Sequence, residues 1–464
     1  MSWITGNTPG GGATAPGPQS ARKRAGVIAL ALCALVSAGI GTRLAFQPTV
    51  ARGGCDANGS GYGYGPRGTG YGYGYGPGDD GCDPDGTFIP VTPTRLLDGR
   101  LTTPPIRLGP LGTTDVQVTG VAGVPATGVT AVVVNLTVDA PTAPSYFQLY
   151  PTGGNTFTSN LNFEANQTRA ADSTVKVGTN GRITIRNETG QASPILDIQG
   201  YYAAVVSPTT GSSYVPLASP VRGLDTRTQP VGPPVGRFNA NETRTFTPAV
   251  PAGATAVVAT FTSVNPTERG FLTAYPDGTP RPTVSNLNWE RGRTIPNLAT
   301  VPLGTGGRVA LFTNQPTDLL IDITGYYVSR TSAEIGDRFT AVDPARLGDS
   351  RATSGNIGGL TRFTTMNQTQ QLRVTGVGGV PATGVSAVVI TITGAGVASN
   401  PDTFFTAFPA GSTLPVVSNL NPIRGENAAN LAIVRVGTGG NISLLNFNPS
   451  AEMVIDVYGY FRGV

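Results

Sequence analysis

The sequence predicts an all-β protein: three tandem β-sandwich or jelly-roll-like domains behind an N-terminal export or anchor segment and a Gly/Tyr-rich stalk. Three observations carry this reading. A set of motifs recurs three times in one order, 64 glycines and 39 prolines among 464 residues supply turns and break helices, and apolar positions in the central runs recur every second residue.

The repeat is clearest in the strings TRLLDGR (94–100), VRGLDTR (221–227) and ARLGDSR (345–351). With the preceding proline each reads P-x-R-x-x-D-x-R, which places Arg95, Asp98 and Arg100 in register with Arg222, Asp225 and Arg227 and with Arg346, Asp349 and Arg351. GVPATGVTAVV (123–133) then returns as VPAGATAVV (250–258) and GVPATGVSAVV (379–389). FQLYP, LTAYP and FTAFP follow, then SNLN beginning at Ser159, Ser285 and Ser418, then a Gly-Thr-x-Gly turn at Gly178, Gly304 and Gly437. Each copy closes on D-[IV]-x-G-Y-[YF], beginning at Asp197, Asp322 and Asp456. The period of roughly 125 residues matches an autonomous domain and far exceeds a solenoid unit. The boundaries are therefore 87–206, 212–328 and 338–464, with 203–213 and 329–337 as linkers, an arrangement of independent beads on a string.

Within AVVVNLTV (131–138), Val132, Val134, Leu136 and Val138 alternate with Val133, Asn135 and Thr137. Val257, Ala259 and Phe261, and Val388, Ile390 and Ile392, keep the same phase. Apolar alternation with Asn and Thr predicts a half-buried strand of an antiparallel sheet. Seven or eight short strands per copy, separated by Gly/Pro/Asn turns, fit a sandwich or jelly roll, and no amphipathic helix stands out in the repeats.

The first 86 residues differ in kind. A polar leader (1–24) ends in the basic ARKR, and 25–41 is an uncharged apolar run of 17 residues. That layout is an export signal core or a transmembrane anchor, and either outcome places the repeats outside the cytoplasmic membrane. Seventeen residues sit at the lower limit for spanning a bilayer, so cleavage and retention both stay open. Residues 42–86 form a low-complexity stalk in which Tyr62, Tyr64, Tyr71, Tyr73 and Tyr75 alternate with glycine. Cys55 and Cys82 bracket it, and an oxidising exterior would join them at a gain of about 3 kcal/mol. Two free thiols are the alternative.

Several function classes fall away. The chain has no histidine, which excludes Ser-His-Asp and Cys-His arrangements and His-ligated zinc. No phosphate-binding or zincin motif stands in the required context, so no catalytic residue, cofactor or metal is assigned. Paired carboxylates, Asp98 with Asp197, could hydrolyse a glycoside, but their recurrence in every copy favours a repeated framework over repeated active sites. A net charge of +4 with 12% charged residues and scattered arginines gives no nucleic-acid footprint.

RLLDGR, GLDTR, GVPATGVSAVV, AYPDG, SNLN and DITGYY together resemble the tandem extracellular repeats of actinobacterial cell-surface and secreted proteins. The resemblance covers about residues 87–464 and rests on the ordered set of motifs. It implies an exported, envelope-associated, β-rich module and carries over no catalytic residue.

Two readings of the repeated charges remain. In the first, Arg95, Asp98 and their copies form a salt-bridged clasp between the first strand of each domain and the last, where Asp197, Asp322 and Asp456 lie. In the second, Asp98 and Asp197 hold a calcium ion with turn carbonyls, a cage that the neighbouring arginines disfavour. The expectation is a non-enzymatic structural or binding protein of the cell envelope, whose partners are a cell-wall polysaccharide, another surface protein or its own copies. An adhesin for a foreign ligand is the alternative, and membrane attachment depends on an uncleaved N-terminal segment.

Overall fold

A computed structural model of the chain describes residues 85–204, 211–227, 236–398 and 402–463. The export segment, the stalk and the Cys55–Cys82 pair lie outside these residues. Among the described residues the structure is strand and turn, interrupted by four single-turn 3-10 segments.

Repeat 1 contains β1 (Gly86–Asp98), β2 (Thr113–Gln117), β3 (Val129–Asp139), β4 (Ser145–Pro151), β5 (Leu161–Phe163), β6 (Arg169–Lys176), β7 (Arg182–Asn187) and β8 (Ser193–Ala204). The pairings are nested: β4 with β5, β3 with β6, β2 with β7 and β1 with β8, all antiparallel. A single long hairpin has been rolled up, and its two halves alternate between sheets β6-β3-β8-β1 and β5-β4-β7-β2. That is a jelly roll. Repeat 2 repeats it with β9 (Ser212–Asp225), β10 (Glu242–Phe246), β11 (Ala254–Val264), β12 (Gly270–Pro276), β13 (Leu287–Trp289), β14 (Ile295–Pro302), β15 (Val309–Thr313) and β16 (Asp318–Ser329). Repeat 3 has β17 (Arg338–Asp349), β18 (Gln368–Arg373), β19 (Val385–Ala395), β20 (Phe405–Pro409), β21 (Ala428–Arg435), β22 (Asn441–Asn446) and β23 (Glu452–Arg462), and keeps only a single bridge, Phe405 to Leu420, where the other copies have their fifth strand.

Each sandwich closes over its own apolar interior. Val132, Val134, Leu136 and Val138 fill the first, Val257, Ala259 and Phe261 the second, and Val388, Ile390 and Ile392 the third. The SNLN motif explains part of the packing. Its first asparagine accepts a bond at 2.7 Å from a strand amide that lacks a ladder partner: Asn160 from Leu149, Asn286 from Ala274 and Asn419 from Ala407.

The beads-on-a-string expectation is corrected here. The described residues of the three repeats form one body, because the inner sheets of all three bury a common face around a pseudo-threefold axis. Six aromatic side chains close a ring there, two from each repeat. The centroid separations alternate within and between repeats: Phe88–Tyr202 5.6 Å, Tyr202–Phe339 4.2 Å, Phe339–Phe461 5.3 Å, Phe461–Tyr214 4.4 Å, Tyr214–Tyr327 5.3 Å and Tyr327–Phe88 4.6 Å. The Tyr202 and Tyr327 hydroxyls share a hydrogen bond of 2.5 Å. The D-x-x-G-Y glycine makes room for this ring. A Cβ on Gly200, Gly325 or Gly459 would fall within 2.4 Å of Phe88, Tyr214 or Phe339 respectively.

The second linker, 329–337, is also part of the body. Tyr214 exchanges two main-chain hydrogen bonds with Asp337, and Tyr326 donates to Glu334 at 2.8 Å. Residues 205–210 lie outside the described set.

A second correction concerns the central strands. β3, β11 and β19 are buried on both faces, since the face carrying Val133, Asn135 and Thr137 meets the other repeats instead of water. Several side-chain amides there are matched across the boundary, whereas the Thr260, Thr262 and Thr393 hydroxyls have no partner. Asn135 donates to the Ser285 carbonyl (2.8 Å), Asn297 donates to Asn135 Oδ1 (3.1 Å) and accepts from the Asp172 amide (3.0 Å), and Asn430 accepts from the Leu298 amide (3.4 Å). Elsewhere on the junction Gln167, Arg293 and Glu426, which occupy equivalent positions in the three copies, converge. Glu426 accepts from Gln167 (3.1 Å), from buried Arg169 (2.9 Å) and from Arg293.

One axial position breaks the symmetry. Asp172 stands where the other copies have Leu298 and Leu431, fully buried, and its Oδ1 has no partner. Burial drives its carboxyl well above the usual aspartate range, although hydrogen bonds from the Ser173 amide and Gln199 oppose this. A raised folded-state pKa contributes stability below the unfolded value, which is lost as pH rises through the folded value. Asp172→Asn should therefore raise the unfolding free energy at neutral pH by about 1 to 3 kcal/mol, an advantage that shrinks on acidification. Denaturant titrations at several pH values measure this, and a variant less stable than the parent at neutral pH contradicts it.

Candidate functional site

The repeated charges meet on the β1–β8 pair and its copies. Arg95 lies directly opposite Asp197 in the ladder, Arg222 opposite Asp322 and Arg346 opposite Asp456, each beside a register shift in the R-x-x-D segment. Arg95 grips Asp197 with Nε and Nη2 (2.8 and 3.2 Å) and donates from Nη1 to Asp98 (3.0 Å). Arg100 closes on Asp98 with Nε and Nη2 (2.8 and 2.7 Å) and its main-chain amide (3.2 Å). Repeat 2 has the same chain, Asp322–Arg222–Asp225–Arg227, with distances from 2.5 to 3.4 Å. In repeat 3, Asp456–Arg346–Asp349–Arg351 spans 2.5 to 3.1 Å. Carboxylate oxygens that a calcium ion would need are taken up by guanidinium donors.

The two aspartates of each clasp titrate in opposite directions. Hydrogen bonds from Arg100 hold Asp98 down to about 2, and those from Arg227 hold Asp225 low. For Asp349 burial is the largest influence and acts upward, yet the bonds from Arg351 leave it below the ordinary value. Asp197, Asp322 and Asp456 lie deeper, and burial lifts their carboxyls against the bonds from Arg95, Arg222 and Arg346.

Two of the three clasps also reach toward another repeat. Arg222 Nη2 donates to the Val416 carbonyl (3.1 Å) and Arg346 Nη2 to the Phe157 carbonyl (3.4 Å), both in the loop that precedes SNLN. Between clasp and loop lie two homologous clefts. The cleft between repeats 1 and 2 holds about 210 Å³ and is lined on one wall by Arg95, Arg100, Thr137, Asp139, Thr168 and Ile195. The cleft between repeats 2 and 3 holds about 400 Å³, and the equivalent wall reads Arg222, Arg227, Thr262, Val264, Thr294 and Leu320. Valine has replaced Asp139. On the facing wall Phe404 and Val416 stand where Phe271 and Thr283 line the smaller cleft, and Phe404 stacks on Phe447 at 4.6 Å and 17°.

None of the cleft residues beyond the arginines was read as part of a site in the sequence, although Thr137, Ser285 and Ser418 were named for their strand or motif. The available signal was the difference between copies at matched positions, Val264 against Asp139 and Val416 against Thr283. Trp289, which follows SNLN in repeat 2, is fully buried and donates to the Glu268 carbonyl at 3.1 Å, so it belongs to the core.

No family model matches the chain, and no curated protein matches it. Among solved structures it is similar to a chain described with the triple jelly-roll fold and turret assembly of an archaeal virus, 11% identical, covering 82% of this chain and 90% of that one with a TM-score of 0.16. A chain from the atomic structure of Sulfolobus turreted icosahedral virus is also similar, at 11% identity, covering 77% and 85% with a TM-score of 0.16.

The clasp geometry separates its two arginines. Arg222→Ala strands Asp322 in the interior and should cost about 3 to 5 kcal/mol, whereas Arg227→Ala removes a half-exposed partner and leaves Asp225 its bond to Arg222, a cost of about 1 kcal/mol or less. A lowered aspartate contributes stability above its unfolded pKa, about 3.9, that is lost as pH falls through the folded value, about 2 for Asp98. Arg227→Ala should thus shift the acid-unfolding limb to higher pH. Equal losses for the two variants in urea titrations contradict this division of roles.

Proposed function

We propose that the chain is an exported, cell-envelope-associated structural or binding protein that engages an envelope glycan or another surface protein through its rigid three-part body. The observation that carries this reading is the use of the repeated charges. Arg95, Asp98, Arg100, Asp197 and their counterparts are consumed in tying the ends of each jelly roll and holding a neighbouring loop. Motifs repeated for that purpose build a scaffold, and a scaffold leaves recognition to loops and clefts. The basic leader and apolar run at 25–41 support export, and the Gly/Tyr-rich stalk supports display at a distance from the membrane. A hydrolase working through the same aspartates is disfavoured, because Asp197, Asp322 and Asp456 are buried under their arginines.

Fractionation of producing cells should place the protein in the envelope, with the repeats digested by protease added outside, and purified wall polysaccharide should retain the full chain. Recovery from the cytoplasm contradicts the assignment, and release of reducing sugar from wall material replaces it with hydrolysis.

A further inference from the structure

The two homologous clefts differ in chemistry, and the difference has a direction. In the smaller cleft Asp139 stands 3.9 Å from Arg100, a second carboxylate for a guanidinium already held by Asp98. In the larger cleft Val264 occupies that position, so the cleft wall beside Arg227 is apolar, and the second carboxylate near this guanidinium is Asp318, which does not line the cleft. The charged groups that line the larger cleft are Arg222 and Arg227, while the partner carboxylates Asp225 and Asp322 are buried behind them and do not line it. Opposite the arginines, the stacked Phe404 and Phe447 pair, Leu414, Pro415 and Val416 form an apolar trough whose lip is solvent-exposed, Val416 at 86%. A cleft of about 400 Å³, mostly apolar with a few convergent polar donors, has the size and make-up of a small-ligand site.

We propose that the cleft between repeats 2 and 3 binds a single-chain amphiphile, an acyl chain whose carboxylate lies at Arg227 and whose tail lies along Phe404, Phe447 and Val416. The tail buries the exposed apolar lip, and the head meets Arg227 from inside the cleft, on the wall where the sister cleft has Asp139. The smaller cleft, with Asp139 in place and about half the volume, does not take the same ligand. This site stands on the cleft's own geometry and holds whether or not the envelope assignment does.

Calorimetric titration of the full chain with decanoate below its micellar concentration should give saturable binding of one molecule per chain. Decanol and the cationic decyltrimethylammonium should each bind about tenfold more weakly. Val416→Asp and Leu414→Asp change exposed side chains, so each should keep the parent melting curve while weakening decanoate at least tenfold. Arg227→Gln should bring decanoate and decanol to equal affinity. Absence of saturable decanoate binding, more than one site per chain, equal binding of the cationic probe, or indifference to Val416→Asp overturns the proposal.

Discussion

The closed ring of Phe88, Tyr202, Phe339, Phe461, Tyr214 and Tyr327 is the contact on which the rest of the molecule depends. Each repeat contributes one ring from its first strand and one from its last, and those are the strands the arginine clasps join. Ring closure and jelly-roll closure therefore share a pair of strands. An aromatic pair adds about 0.5 to 1.5 kcal/mol beyond its buried area, and three of the six contacts cross between repeats. A chain in which one repeat is displaced loses two of those three crossings at once.

Ionic and apolar contacts divide the labour by position. On the axis, where water is excluded, aromatic rings, alanine and valine face one another, and some of the polar groups are matched, as Asn297 is with Asn135. At the periphery the inner aspartates are buried but their arginines keep one edge toward solvent, as Arg95 at 29% exposure does beside Asp197 at 1%. A half-buried bidentate pair fixes register and direction at modest desolvation cost. The same arginines are then able to hold a neighbouring carbonyl, and that is how the clefts acquire a charged wall.

Much of this was legible in the residues. The nested pairing of a jelly roll brings its first and last strands together, so a conserved order of motifs with charges at both ends already marks the clasp, and period-two valines mark the inner faces. The mutual packing of the repeats was hidden because the axial face of the central strand carries Asn135 and Thr137, residue types that read as solvent-facing, and it becomes buried only when another repeat supplies Ser285 and Asn297 as partners. The D-x-x-G-Y glycine carried no reading of its own in the sequence, although its absent side chain is what admits Phe88 beside Gly200. The larger cleft was illegible for a related reason: its walls lie some 190 residues apart in sequence, as the Arg222 to Val416 bond shows, and no local pattern joins them.

Native-state hydrogen exchange on the full chain, compared with Phe339→Ala, tests the shared axis most directly. Truncating a buried phenylalanine costs about 3 to 5 kcal/mol. If the ring couples the three jelly rolls, the slow amides of β3, β11 and β19 share one opening free energy and all lose protection together in the variant. Loss confined to β17, β19 and β23, with repeats 1 and 2 unchanged, would show three independent domains and contradict the account.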